Sequence, residues 1–123
     1  MSRKLLMNTE LEPAYDPYNI DGMLYLIRGK GIDWNTNRLT NNPSCWATVD
    51  AVTVIPNQLY NITMNGTWAW VVTYDDNDNP VSVLYQGSAN NPENFNITPN
   101  TSHIRFGCFD PGNALTYCTI KAI

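Results

Sequence analysis

The sequence predicts an all-β protein: an antiparallel two-layer β-sandwich behind an irregular N-terminal arm. Three observations predict it. From Met23 onward, short runs of alternating apolar and polar residues recur about every ten residues, which is the strand signal. Asn, Asp, Gly and Pro fill the gaps between them, as turns require. No window after residue 22 carries a 3.6-residue period. Seven or eight such strands in about a hundred residues suit two packed layers. Periodicity alone leaves a jelly-roll or an immunoglobulin-like topology open, although the Cys-Trp-Cys pattern of antibody domains is missing.

The elements follow in order. Residues 1–22, ending "LLMNTELEPAYDPYNIDG", carry two Pro, four acids and no period, and are read as an arm. Its apolar residues Leu5, Leu6, Met7, Tyr15 and Tyr18 are expected to dock on another chain or on a second copy. Residues 23–123 form the sandwich domain. "MLYLI" (23–27) is a first apolar run, and "VDAVTVIP" (49–56) alternates until Pro stops it. "QLYNITMNG" (58–66) places Tyr60, Ile62 and Met64 on one face. "TWAWVVTYD" (67–75) places Trp68, Trp70, Val72 and Tyr74 together, a face read as core, with Trp68 nearer an edge. "PVSVLYQG" (80–87) and "ENFNIT" (93–98) are two further strands. "SHIRFGCFD" (102–110) turns Ile104, Phe106 and Cys108 inward and His103 and Arg105 outward, and "LTYCTIKAI" (115–123) closes the chain.

Composition narrows the function classes. In 123 residues there is room for one domain. The net charge is −4 and Lys and Arg form no cluster, which disfavours nucleic acid as a partner. No apolar run approaches a membrane span. The segment "MSRKLLMNTELEP" has a basic end but no apolar stretch of signal-peptide length, so synthesis in a cytoplasm is expected. On that reading the Asn-x-Ser/Thr triplets at Asn61, Asn65, Asn96 and Asn100 are products of an Asn- and Thr-rich sequence. Cys45, Cys108 and Cys118 are widely spaced, no CxxC occurs and His103 is the one histidine. Buried free thiols are therefore expected, with no zinc.

The run "DDNDN" (75–79) between two strands raises the question of calcium. A loop starting at Asp75 would need Gly at its sixth position and Glu at its twelfth, where Pro80 and Gln86 stand. A hairpin turn is the preferred reading, with no metal and no other cofactor. No Gly-x-Ser-x-Gly, phosphate loop or HExxH is present, the adjacent acids are not a pair held across a cleft, and His103 reads as a surface histidine. An enzyme is not expected.

A larger pattern does emerge. Arg38-Leu39, the strand from Val52 to Pro56, Tyr60-Asn61-Ile62, Tyr74-Asp75-Asp76-Asn77, and Thr98-Pro99-Asn100 through Ile104-Arg105 follow one another over residues 30–120. This succession resembles a domain seen repeatedly in tail, baseplate and fibre proteins of phages infecting Gram-positive bacteria. The resemblance implies a jelly-roll sandwich like carbohydrate-binding modules, on a virion that attaches to host cell-wall saccharide. Other virion proteins would then be its partners, and the virion surface its location. The rival readings are a purely structural decoration or adaptor protein, and a bacterial surface lectin-like module. Sugar binders stack an exposed aromatic ring on a pyranose and bond its hydroxyls with polar neighbours. The candidates are Trp34, Trp46, Asp50, Trp68, His103 and Arg105, with Trp46 foremost because a large ring in the turn-rich "NNPSCW" is hard to bury.

Overall fold

The structure is a computed structural model that describes residues 21–109 and 117–123. The expected arm thus lies outside the described residues, except that Asp21 and Gly22 belong to the first strand.

Eight strands run in order: β1 (Asp21–Tyr25), β2 (Ile27–Ile32), β3 (Leu39–Ala47), β4 (Val52–Thr53), β5 (Tyr60–Tyr74), β6 (Pro80–Ile97), β7 (His103–Phe109) and β8 (Tyr117–Ala122). Every pairing is antiparallel, and no helix occurs among the described residues. The all-β antiparallel sandwich is as the alternation predicts. Strand order along the hydrogen-bonded network is β1-β8-β5-β7-β3-β2, with β6 on β5 and β4 on β7. This order does not establish the jelly-roll connectivity that the resemblance implies.

The two layers share β5 and β6. The first half of β5, Tyr60 to Met64, lies between β8 and the end of β6. Its second half, Trp68 to Tyr74, lies between β7 and the start of β6. One layer is therefore β1, β8 and the lower hairpin; the other is the upper hairpin, β7, β3 and β2. Tyr60, Ile62, Met64, Leu24, Cys118 and Ile120 from the first layer meet Ala69, Val71, Ile104, Phe106, Cys108 and Trp46 from the second in one core. A strand that changes layers must bend, and the ladder shows where. Register shifts fall between Met64 and Gly66 and again between Gly66 and Ala69. The bulge also changes parity: even-numbered residues face the core up to Met64, odd-numbered ones from Ala69.

That parity change corrects the expected core face of 67–75. Trp68, Trp70, Val72 and Tyr74 do share a face, but it is turned away from the main core. Val72 and Tyr74 are buried in a second, smaller cluster with Ile32, against which Trp70 packs. Two pairs of expected strands are each one: 58–66 joins 67–75, and 80–87 joins 93–98. The 49–56 strand shrinks to Val52–Thr53. Strand β3 was not expected at all, since "LTNNPSCWA" reads as turn. Its Asn42 and Pro43 fall where the β2–β3 register breaks, opposite Gly29 at φ 89°, so Pro43 interrupts no ladder there. Asn42 caps that irregularity by accepting the Ser44 amide at 2.9 Å.

Candidate functional site

One end of the molecule is assembled from two turns, a short loop and the start of β7. Both turns are built by an aspartate that opens them. In the β2–β3 loop the Asp33 carboxylate accepts the amides of Asn35 at 2.7 Å and Thr36 at 3.2 Å, and Asn37 takes a left-handed φ of 59°. In the β5–β6 hairpin the Asp75 carboxylate accepts the amides of Asn77 at 2.8 Å and Asn79 at 2.9 Å, and Asp78 takes φ 64°. Side chains then lock the turns together. The Tyr74 hydroxyl donates to the Asn37 carbonyl at 2.6 Å, and Arg38 donates to Asn79 Oδ1 at 2.9 Å.

Arg105 ties in the third piece. Its side chain, 7% exposed, donates through both terminal nitrogens to the Asp78 carboxylate at 2.7 and 3.2 Å. Its Nε donates to the Val49 carbonyl at 3.0 Å, and its guanidinium lies 4.6 Å from the centre of the Tyr74 ring. The expectation that Arg105 points outward holds only in that it faces away from the main core. Asp78, Val49 and Tyr74 bury it, and its donors are occupied. His103 Nε2 stands 3.2 Å from Asp76 Oδ1, and Asp76 is almost wholly exposed.

The acidic run is thus a turn. The Asp75 carboxylate serves two backbone amides and the Asp78 carboxylate serves Arg105. Among the described residues no three His, Cys, Asp or Glu side chains gather as metal ligands would. The hydrogen bond from the Asn79 amide above all, then that from Asn77, holds the Asp75 carboxyl below its ordinary range. A depressed folded-state pKa contributes stability above the ordinary carboxylate range and loses it as pH falls through the folded value. The hairpin is therefore firm at neutral pH and loosens in acid.

The sequence candidates divide between the two ends. Trp34, Asp50, His103 and Arg105 come to the turn end: Trp34 sits on the pinned β2–β3 loop, and Asp50 follows the carbonyl that Arg105 holds. Trp34 is 72% exposed and Asp50 is exposed. Trp46 and Trp68 lie toward the other end of β7, opposite Cys108 and Phe109, about 15–20 Å away along the strand. Trp46, the foremost candidate, is only 8% exposed: its ring belongs to the main core, and Arg28 lies over it at 5.8 Å. Trp68 is 39% exposed and meets Trp70 edge-on at 6.3 Å. Sequence reasoning missed the residues that organise the turn end, namely Tyr74, Asp33 and Arg38. The signal for Asp33 was the same Asp/Asn-rich composition in "DWNTN" as in "DDNDN", while Arg38 and Tyr74 stood only among the strand positions and the segments that carry the resemblance.

Comparison of the chain with family models, curated proteins and solved structures yields no match in any of the three.

Proposed function

We propose that this chain is a phage virion surface protein whose sandwich binds host cell-wall saccharide at the turn end. The observation that carries the reading is Trp34: a large ring, mostly in solvent, on a loop that hydrogen bonds hold to the neighbouring hairpin. An exposed ring on a fixed loop loses little freedom when a pyranose stacks on it. Asn35, Asp50, Asp76 and Asn77 are exposed around the same end and can bond hydroxyls. The expected affinity is weak, about 0.1–1 mM per site, with strength coming from many copies on one particle. Trp46 and Arg105 leave the saccharide set, because one is core and the other is spent on Asp78.

A structural virion component remains the second reading, favoured by exposed Trp68 and Phe109 at the far end, where an apolar surface suits a protein neighbour. The deciding experiment is retention of multivalently displayed protein on host cell-wall polysaccharide. Parent protein should be retained and Trp34→Ala lost at unchanged melting temperature, while Trp68→Ala should be retained like the parent. No retention of the parent removes the saccharide reading. Loss with Trp68→Ala but not Trp34→Ala moves the site to the far end.

A further inference from the structure

We propose that the saccharide taken at the turn end carries no anionic groups, and that Asp50 and Asp76 make this selection by repelling wall polymers that bear phosphodiesters or uronates. The inference rests on the reading of Trp34 as the stacking ring and adds to it what can approach that ring. A ligand with phosphate or carboxylate groups calls for a free cation where it docks. Among the described residues both arginines of the turn end are engaged. Arg105 is spent on the Asp78 carboxylate and the Val49 carbonyl. Arg38 donates to Asn79 Oδ1 at 2.9 Å, and its charge acts on the Asp75 carboxylate. The other described cations are placed elsewhere: Arg28 over the Trp46 ring, Lys30 on Asn41 at 2.6 Å, and Lys121 in β8 opposite Asn61.

The acids of this end divide into two kinds. The carboxylates of Asp33 and Asp75 turn to backbone amides, and that of Asp78 to Arg105. Asp50 and Asp76 remain. Both are exposed, the Asp76 side chain 92% so, and no arginine or lysine among the described residues pairs with either. The neighbour of Asp76 is the His103 imidazole.

An ionised carboxylate only accepts hydrogen bonds. Two unpaired ones, at the end that carries the exposed ring, suit a ligand that brings hydroxyl protons, as a neutral sugar does. A phosphodiester or uronate group brings no proton at neutral pH, and its charge meets theirs. Unpaired like charges discriminate against a partner even where its other contacts are good. The two aspartates are thus no separate site but a filter on the one at Trp34. Because both are exposed, salt screens their repulsion over about 10 Å at 0.1 M ionic strength, so the filter weakens as salt rises.

The test uses the full chain, displayed multivalently, on host cell-wall polysaccharide separated by anion exchange into a neutral and an anionic fraction. The parent should be retained on the neutral fraction, and at least about tenfold less on the anionic one at low salt. Added salt should raise retention on the anionic fraction and leave the neutral one level. The double variant Asp50→Asn, Asp76→Asn should raise the ratio of anionic to neutral retention at low salt. Anionic retention that equals or exceeds the neutral, anionic retention that falls with salt, or a ratio unmoved by the double variant would each overturn the proposal. If anionic retention of that kind disappears with Trp34→Ala, the saccharide reading stands and only the selection falls. No retention of the parent on either fraction removes both.

Discussion

Arg105 and Asp78 form an unequal pair, and the inequality sets what each substitution does. The arginine side chain is 7% exposed and the aspartate 59%. Removing Asp78 leaves a buried guanidinium with one carbonyl and one ring for company. Removing Arg105 leaves a carboxylate that water can solvate. Asp78→Ala is therefore expected to cost about 2–3 kcal/mol, and Arg105→Met about 1–2 kcal/mol, since a stranded buried charge costs more than a lost hydrogen bond. Urea unfolding of the two variants checks this; equal losses would mean that the pair is solvated as a whole. Both costs lie at or below the low end of the roughly 3–5 kcal/mol for a fully buried ion pair with one partner deleted, because Asp78 already keeps much of its hydration.

Strands β2 and β3 approach so closely at one point that only glycine fits. A Cβ built on Gly31 would stand 2.7 Å from the Cβ of Cys45, and neither atom can rotate away. Gly31→Ala is expected to destabilise the fold by about 1–3 kcal/mol through overpacking, measured by thermal or urea unfolding. A neutral result would show that the β2–β3 pair shifts freely. This level is also where the sequence was most and least readable. The alternation in "SHIRFGCFD" gave β7 and its inward face correctly, because Ile104, Phe106 and Cys108 point into one core. The even-numbered apolar run from Tyr60 to Tyr74 looks like one continuous face, and the bulge that splits it has no local sign beyond Asn65-Gly66. Strand β3 was illegible because its Asn and Pro residues occupy a register break that only its pairing with β2 reveals. At the turn end the hairpin could be read from Asp and Asn spacing, which is local chemistry. The burial of Trp46 could not, since it depends on β7 and the core, more than fifty residues away.

For the molecule as a whole, the three cysteines report on cooperativity. Cys45, Cys108 and Cys118 are free and buried, as expected from their spacing. Burial pushes all three thiols up, that of Cys108 to about 12, so none is a nucleophilic thiolate at neutral pH. They sit on β3, β7 and β8, hence on both layers that the long β5–β6 hairpin joins. If that hairpin makes the layers one cooperative unit, all three should be alkylated at a single rate, that of global opening. Intact mass during labelling should show zero or three adducts and little between. A species with one or two adducts would reveal a layer that opens by itself. The pairing of β1 with β8 has a different kind of consequence. Asp21 lies directly across from Lys121, so the first and last of the described strands, β1 and β8, bring residues 21 and 121 to neighbouring points. A unit with its two connections side by side can be spliced into a surface loop of an unrelated protein without prising that loop's ends apart, and it would sit there as an outgrowth of its host.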